Sequence, residues 1–193
     1  VLRAELGIGD GYLVGCVARL APEKDHATLL RAFAQLRARR DDATLVLVGG
    51  GVAADSLRQL ATELHISDHV RFLGNRPDAE RIVRAFDVIS LSSVREGLPL
   101  ALLEGMAVGV PAVATDVGEI RRLVDGGCGM VVPPRDPAAL ASALAHYAND
   151  AVARARDGIR ARERVAAGYS ATAMTRRYVQ IYRALAGLGS REQ

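Results

Sequence analysis

The amino-acid sequence predicts an α/β fold, with a doubly wound parallel sheet of about six strands followed by C-terminal helices. Short apolar runs rich in β-branched residues alternate along the chain with segments of helical spacing. The alternation stops after Pro134, and only helical segments follow it. Strands that alternate with helices pair in parallel through right-handed crossovers. The part of the chain before Pro134 therefore predicts the sheet.

The predicted elements follow one another with short connections. The strands are expected at 12–18 (YLVGCVA), 43–51 (ATLVLVGGG), 69–74 (HVRFLG), 87–92 (DVISLS), 111–115 (PAVAT) and 128–134 (CGMVVPP). The helices between them are expected at 26–40, 54–64, 78–86, 98–109 and 118–124. In the first helix, Leu29, Leu30, Phe33 and Leu36 recur at helical spacing, which indicates one buried face.

The segment after Pro134 predicts further helices at 136–150, 151–168 and about 170–186. Ser170 is the expected N-cap of the last one. The arginine-rich face of 151–168 is predicted to be solvated, with an interface to another domain as the alternative. We expect the last helix to pack partly on another domain through an apolar stripe formed by Met174, Tyr178, Ile181, Tyr182 and Leu185.

Composition restricts the class of protein. A chain of 193 residues is long enough for one domain, 1–193, with a full core. Its net charge of +3 is too small to indicate nucleic-acid binding, and no run of about 18 apolar residues could span a membrane. Cys16 and Cys128 lie in apolar stretches without a Cys/His cluster, which favours buried thiols. The start, VLRAELGIGD, lacks a signal-peptide pattern and predicts the middle of a longer protein.

A glycine motif raises the alternative of a dinucleotide-binding enzyme. Gly49, Gly51 and Ala54 match G-x-G-x-x-A after a predicted strand. Such a site needs an acidic residue near the end of the next strand, and VRFLG contains none. We therefore interpret the glycines as a tight turn that permits close helix-to-sheet packing. The sequence also lacks a P-loop, a G-x-S-x-G elbow, an HExxH motif and a D-x-D pair.

Polar residues that directly follow the predicted strands are the candidates for chemistry, because ligands of open parallel sheets bind at the carboxyl ends of the strands. Arg19 and Lys24, the only lysine, follow the first strand, and Glu96 follows the fourth. A helix starting near Leu100 offers N–H groups suited to phosphate. On that helix Glu104 is predicted to share an apolar stripe, so it requires either an arginine partner or a ligand that donates hydrogen bonds.

These residues stand in motifs that resemble the C-terminal, donor-binding half of GT-B-fold glycosyltransferases, specifically glycosyltransferase family 4 (group 1). The resemblance covers nearly the whole chain and rests on six motifs in the family's order and spacing. They are VARLAPEKD, LVLVGGG, VRFLGNR, the E-x7-E pair Glu96 and Glu104, GVPAVATDVGEI and GMVVPP. The resemblance implies a Rossmann-like domain that is one half of a GT-B architecture, with the N-terminal acceptor domain absent from the chain.

Catalytic roles are carried over residue by residue. The resemblance implies that Arg19 and Lys24 hold the diphosphate of a sugar nucleotide, and that Glu96 binds hydroxyl groups of the donor sugar. A guanidinium offers paired donors to phosphate and an ammonium offers a compact charge, so the chemistry agrees. The alternative for Arg19 is a surface ion pair with Glu23, which would imply no ligand.

Nucleotide-binding roles are implied in the same way. Backbone N–H groups around Leu100 would contact the phosphate, and Glu104 would accept hydrogen bonds from the ribose 2′ and 3′ hydroxyls. Arg76, in the motif GNRP, falls where family members contact the base, largely through the backbone. The alternative for Glu104 is an ion pair with a neighbouring arginine.

The function implied by the resemblance is metal-independent glycosyl transfer from a nucleotide-diphosphate sugar, with retention of anomeric configuration. No cofactor or metal is expected, and the expected partners are the sugar nucleotide and the N-terminal domain, with no nucleic acid. A cytoplasmic location is implied, with peripheral attachment to the inner face of the membrane through the N-terminal half as an open alternative. Two other functions also remain open: a nucleotide-sugar epimerase and a non-catalytic sugar-nucleotide-binding module.

Overall fold

The computed structural model describes residues 2–186 and contains one six-stranded, entirely parallel sheet. The strand order is β3-β2-β1-β4-β5-β6. The strands are β1 (Leu13–Val17), β2 (Thr44–Val48), β3 (Val70–Gly74), β4 (Val88–Leu91), β5 (Ala112–Thr115) and β6 (Gly129–Val132). The order reverses between β1 and β4, so the doubly wound fold that the sequence predicts is confirmed.

Helices cover both faces of the sheet. They are α1 (Leu2–Glu5), α2 (His26–Arg37), α3 (Ala54–Glu63), α4 (Ala79–Val83), α5 (Leu100–Ala107), α6 (Ile120–Val124), α7 (Pro137–Asn149), α8 (Ala151–Gly168) and α9 (Ala171–Leu185). Helix α2 packs on α7, and α5 packs on α8. Right-handed crossovers that run in opposite directions from β1 and β4 place α2 and α5 on opposite faces.

The core lies between the central strands and these helices. Strands β1, β2, β4 and β5 are almost completely buried, as expected for parallel strands covered on both faces. The predicted apolar face of α2, with Leu29, Leu30, Phe33 and Leu36, is buried. Burial of these apolar side chains is the main source of stability for the sheet, and thus for the polar loops at the carboxyl ends of its strands.

Acidic and hydroxyl residues begin several helices. Asp25 caps α2 by accepting hydrogen bonds from the backbone N–H and the hydroxyl of Thr28, at 3.3 and 2.7 Å. Asp136 and Asp150 cap α7 and α8 through the N–H groups of the residues three positions later. Ser170 caps α9, as the sequence predicts. Each such cap satisfies an N–H group that the helix itself leaves unpaired.

Helix α1 is an element that the sequence analysis did not predict. It is short and buries none of its side chains, so it carries no apolar periodicity. It is held instead by Arg3, whose guanidinium donates to the carbonyl oxygens of Gly11 and Ala85 and to the carboxylate of Asp87 at 2.8–3.0 Å. A long-range arginine contact of this kind leaves no local sequence pattern.

Helix α9 differs from the other long helices because none of its residues is buried. Its apolar stripe is present, with Tyr178 and Tyr182 stacked at a ring-centroid separation of 6.4 Å. Tyr182 is 66% exposed and Met174 is 56% exposed. The described part of the chain therefore leaves the stripe open.

Candidate functional site

A crevice opens where the strand order reverses, between the loops that follow β1 and β4. Its volume is about 230 Å³. Its polar wall comes from Arg19, Lys24 and Glu96, and its apolar wall comes from residues 98–101 at the start of α5. We call this cavity the β1–β4 crevice. Its position is the one at which open α/β sheets bind ligands.

A buried ion pair forms the floor of the β1–β4 crevice. The ammonium of Lys24 donates to Oε1 of Glu96 at 2.7 Å, and the two side chains are only 19% and 8% exposed. The hydroxyl of Ser93 donates to the same oxygen at 2.6 Å. Because a buried charge is costly unless it is paired, the two loops are held together through this contact.

Hydrogen bonds to the backbone fix both loops. The hydroxyl of Ser92 donates to the carbonyl oxygens of Lys24 and Asp25, at 3.0 and 2.8 Å. The N–H of Val94 donates to the carbonyl of Glu23 at 2.9 Å. These bonds orient the chain on either side of the ion pair before any ligand binds.

A glycine allows the loop after β5 to lie directly on the loop after β4. Gly118 has φ +56°, and a Cβ atom built there would lie 2.1 Å from the carbonyl oxygen of Glu96. The hydroxyl of Thr115, at the end of β5, donates to the carbonyl of Ser93 at 2.6 Å. The backbone on both sides of the Glu96 side chain is thus supported from β5, and a larger residue at 118 would displace it.

The N-terminus of α5 faces the β1–β4 crevice. Pro99 occupies the N-cap position, and no side chain caps the helix. The N–H groups of Leu100 and Ala101 belong to the first turn, which has no intrahelical acceptors. Together with the partial positive charge of the helix end, they make this wall suitable for an anion.

A second pocket adjoins the β1–β4 crevice at the ends of β2 and β3, and Arg19 lines both cavities. Its volume is about 510 Å³. The guanidinium of Arg76 in its wall is held by two 2.7 Å hydrogen bonds to the carboxylate of Asp78. Asn75 accepts from the N–H of Gly50 at 2.8 Å and so connects the loops after β2 and β3.

His26, the first residue of α2, is buried immediately behind the loop that carries Lys24. Within residues 2–186, neither ring nitrogen has a hydrogen-bond partner. Burial lowers its pKa to about 4, the positive charge of Lys24 acts in the same direction, and Asp25 opposes both. The imidazole is therefore neutral at neutral pH.

Two structural features are absent from residues 2–186. No helix in this part of the chain is long and apolar enough to cross a membrane. No group of three His, Cys, Asp or Glu side chains in the same residues is arranged to hold a metal ion.

The sequence matches the family model described as glycosyl transferases group 1 over residues 11–150. It is 39% identical over 181 residues to D-inositol 3-phosphate glycosyltransferase of Nocardia farcinica, covering 87% of this chain and 40% of that protein. The chain belongs to the group 1 glycosyltransferases. It is also 33% identical to the GDP-mannose-dependent monoacylated alpha-(1-6)-phosphatidylinositol monomannoside mannosyltransferase of Corynebacterium glutamicum, covering 93% of this chain and 49% of that protein. The chain thus spans less than half the length of these two relatives.

Solved structures agree with the family assignment. HepE from Anabaena, in complex with UDP, superposes with a TM-score of 0.88 at 26% identity. The match covers 95% of this chain and 51% of that structure, and HepE is also known in complex with UDP-glucose. This group 1 glycosyltransferase chain is therefore a Rossmann-like C-terminal domain of the GT-B type, as the motifs indicate.

Four of the six residues singled out in this group 1 glycosyltransferase line the β1–β4 crevice, namely Arg19, Lys24, Glu96 and Leu100, and two of them contact each other. Lys24 and Glu96, predicted to bind different parts of a donor, form the ion pair described above. Arg19 lines the crevice but also forms the ion pair with Glu23 that the sequence analysis gave as its alternative, at 2.8 Å. The Arg19 side chain is 75% exposed, so its guanidinium is free to exchange that partner.

The prediction that Glu104 lies on a buried apolar stripe of the glycosyltransferase helix α5 is wrong. The buried residues of α5 are Leu102, Gly105 and Met106, whereas Leu100 and Glu104 are exposed. Gly105 packs so closely on Ile89 that a Cβ atom there would approach its side chain to 2.9 Å. The face of α5 that carries Gly105 therefore packs against the sheet, and Glu104 lies on an exposed side of the helix.

Glu104 also forms no ion pair with an arginine of the glycosyltransferase domain within residues 2–186, so the proposed alternative for it is not observed there. Desolvation, with the nearby negative charge of Glu80 second, raises the pKa of Glu104. The carboxylate remains available to hydrogen-bond donors from outside this part of the chain.

Sequence reasoning missed several residues that shape the β1–β4 crevice. Ser92 and Ser93 stand directly after β4, in SSVREG, and their position alone could have marked them. Gly118 could not be found in the same way, because its contact is with backbone 22 residues away in sequence. Gly49 and Gly51 follow β2 with positive φ, and a Cβ atom at either position would collide with a carbonyl oxygen of the loop after β1, that of Ala18 or of Leu20. The close contact that these glycines permit is therefore with that loop and not with a helix.

Proposed function

We propose that this chain is the donor-binding part of a glycosyltransferase, and that the β1–β4 crevice binds the diphosphate and sugar of a nucleotide-diphosphate sugar. The observation that carries the proposal is the Lys24–Glu96 pair at the strand-order reversal. A cation for phosphate and a carboxylate for sugar hydroxyls lie side by side there, opposite an uncapped helix N-terminus. The UDP and UDP-glucose complexes of HepE support the same class of ligand.

The proposed chemistry follows from where negative charge develops. As the bond between sugar and diphosphate breaks, charge grows on the leaving diphosphate. Lys24 and the first N–H groups of α5 are held at one site, and the exposed guanidinium of Arg19 can turn toward it. Together they would stabilise that charge more than the charge of the ground state. These groups supply the positive charge that a metal ion would supply, so we propose transfer without a metal. Retention of anomeric configuration is proposed on the resemblance to family 4.

We propose that the nucleotide extends out of the crevice, with its ribose at Glu104 and its base in the adjoining pocket that Arg76 lines. A carboxylate accepts two hydrogen bonds from a vicinal diol, and Glu104 is open to receive them from ribose. Arg76 lines the adjoining pocket, where a base would contact the backbone of the loop after β3. Arg19 lines both cavities and would contact the diphosphate on the side of the crevice that adjoins this pocket.

The rest of the enzyme is also a proposal, because the chain covers 40% to 49% of the two curated relatives named above. We propose that an N-terminal domain binds the acceptor and that α9 packs partly on it through the open stripe. The names of both relatives specify acceptors that contain an inositol phosphate, so acceptors of this class are the first to test. A cytoplasmic location, with peripheral membrane attachment through the other half, stays a prediction.

Calorimetric titration tests donor binding directly. The chain is titrated with UDP-, GDP- and ADP-sugars in the presence of a chelator, and one of these is expected to bind. Binding that appears only when magnesium or manganese is added would contradict the metal-free proposal. Failure of all three donors, with the fold intact by circular dichroism, would contradict donor binding itself.

Turnover tests the two-domain proposal. We expect residues 1–193 to bind donor with at most slow hydrolysis, because the acceptor and the reactive carbon meet between two domains that also exclude water. Transfer is expected once an N-terminal half from a full-length relative is supplied. Efficient transfer by the 193-residue chain alone contradicts this expectation. Conversion of a free sugar nucleotide without acceptor would instead indicate an epimerase, and binding without turnover in the two-domain protein would indicate a non-catalytic module.

A further inference from the structure

A larger cleft lies beside the β1–β4 crevice, between α6, α8 and the start of α9. Its volume is about 770 Å³. Arg122 from α6, Arg160 and Arg164 from α8, and Arg177 from α9 contribute to its wall. We call it the arginine cleft. Leu98 borders both this cleft and the β1–β4 crevice, so the two cavities are neighbours with separate linings.

Acidic side chains neutralise only part of this charge. Glu119, Asp125 and Glu163 also line the arginine cleft. Glu119 pairs with Arg122 at 3.5 Å. Within residues 2–186, however, Arg177 pairs with no carboxylate. The cleft thus retains a guanidinium that is available to an anion.

The position of Arg164 gives a second reason to expect a ligand. One of its terminal nitrogens donates to the carbonyl oxygen of Arg122, which fixes the side chain across the cleft. Its Nε atom is shielded from solvent and has no partner within residues 2–186. Buried donors are rarely left without an acceptor, and an oxygen atom of a ligand in the cleft would satisfy this group once the guanidinium turns toward it.

A glycine turn makes room for the neighbouring guanidinium. Gly127 has φ +77°, and a Cβ atom built on it would lie 2.7 Å from Nη1 of Arg160. Arg160 also forms an ion pair with Asp157, three positions earlier on α8, at 3.8 Å. Any side chain at 127 would therefore displace the Arg160 guanidinium from the cleft wall.

We propose that the arginine cleft binds a phosphate group, at a site separate from the donor crevice. Guanidinium groups offer paired N–H donors whose geometry matches two phosphate oxygens. A dianionic phosphate also offsets the repulsion among arginines that face one cavity. The ligand class is a phosphomonoester or free phosphate, and the site does not depend on the proposed donor function.

Isothermal titration of the 193-residue chain with inorganic phosphate, and separately with glycerol 3-phosphate, tests the proposal at low salt. Arg177→Gln is expected to weaken the binding of both by about tenfold or more, the size of a lost charged hydrogen bond. The matched control is Arg162→Gln, on the same helix as Arg164 but outside the arginine cleft. It should leave both dissociation constants unchanged, and thermal unfolding should show that both variants are folded.

The two ligands also separate the sources of phosphate. Tighter binding of glycerol 3-phosphate indicates an organic ester, whereas equal binding indicates that the phosphate group alone is recognised; both support the site. Absence of binding, or an equal loss in Arg162→Gln, overturns it. A loss of phosphate binding in Lys24→Ala with none in Arg177→Gln would place the phosphate in the donor crevice and overturn it as well.

Discussion

The sequence analysis placed functional residues in the β1–β4 crevice and in helix α9. The two regions differ in how far residues 2–186 shield those residues from water. Lys24 and Glu96 are 72 positions apart and yet meet in a pair that is largely shielded from water. The apolar stripe of α9 is continuous and yet remains exposed. Parallel strand topology completes the first region within one domain. The second region has an amphipathic pattern that residues 2–186 leave exposed.

The largest expected effect contrasts the two regions by stability. Phe33→Ala removes a completely buried ring from α2 and should lower the free energy of unfolding by about 3 to 5 kcal/mol. Ile181→Ala, in the stripe of α9, should change it by less than about 0.5 kcal/mol, because that side chain is already exposed. Chemical denaturation of both variants measures the difference. A loss for Ile181→Ala as large as that for Phe33→Ala would mean that the stripe is buried in solution.

The next effect concerns His26, behind the crevice. Its pKa in the folded chain is about 4 and its ordinary value is 6.5, so between these values the unfolded chain binds more protons. The free energy of unfolding should therefore fall as the pH drops from about 6.5 to about 4, by about 3 kcal/mol, and this contribution should be complete above about 6.5. Denaturation of wild type across this range measures it.

Two variants identify the group responsible for that pH dependence. His26→Leu fills similar space and should flatten the profile between about pH 6.5 and about pH 4. His146→Gln changes an exposed histidine on α7 and should leave the profile as in wild type. A profile that is equally steep in His26→Leu would show that the buried imidazole is not the group that titrates.

The agreement between sequence and structure has a physical basis in the strands. Runs such as TLVLV are short, apolar and rich in β-branched residues, which is typical of strands in a sheet covered on both faces, and they occur where predicted. The face of α5 could not be chosen in this way. Leu100, Leu102, Leu103 and Met106 are spread around that helix, and Glu104 is its single charged residue, so hydrophobic spacing alone does not select the buried face. The close contact with the sheet is made at Gly105, which carries no hydrophobic signal.

The candidate site shows the same limit. The rule that strand ends converge was enough to bring Arg19, Lys24 and Glu96 to one crevice. It did not predict that Lys24 and Glu96 would contact each other, because such a pairing depends on side-chain reach across two loops. The close contact between Gly118 and the backbone of Glu96 is a tertiary contact, so no local sequence pattern predicts it.

An effect of intermediate size on ligand affinity should distinguish a cation of the crevice from a cation elsewhere on the surface. Lys24→Ala should weaken the binding of a nucleoside diphosphate by about 1.5 to 3 kcal/mol, the range for a lost charged hydrogen bond. Arg31→Ala removes an exposed cation from α2 and should leave affinity unchanged, and so should Ile181→Ala in α9. Calorimetry measures all three. An unchanged affinity in Lys24→Ala would show that Lys24 does not bind the ligand and that its ion pair with Glu96 is purely structural.

The smallest effect separates the two glutamates. Glu104→Gln should weaken the nucleoside diphosphate and the sugar nucleotide alike, by roughly fivefold, because both ligands contain the ribose that Glu104 is proposed to bind. Glu96→Gln should weaken the sugar nucleotide more than the nucleoside diphosphate, because only the sugar nucleotide carries the sugar hydroxyls and Gln keeps an oxygen that can accept from Lys24. Equal losses for both ligands in both variants would contradict this assignment of roles.

The pH dependence of nucleoside diphosphate binding tests Glu104 further, because its pKa is raised, first by desolvation and then by Glu80. A protonated carboxyl group loses part of its capacity to accept from a diol, so affinity should fall as the pH drops through this raised pKa, earlier than for an ordinary glutamate. Glu80→Gln removes the neighbouring negative charge and should move that fall to lower pH without abolishing it. Glu104→Gln should remove it. If the fall persists unchanged in Glu104→Gln, the titrating group lies elsewhere, and the ribose contact must be assigned to another acceptor.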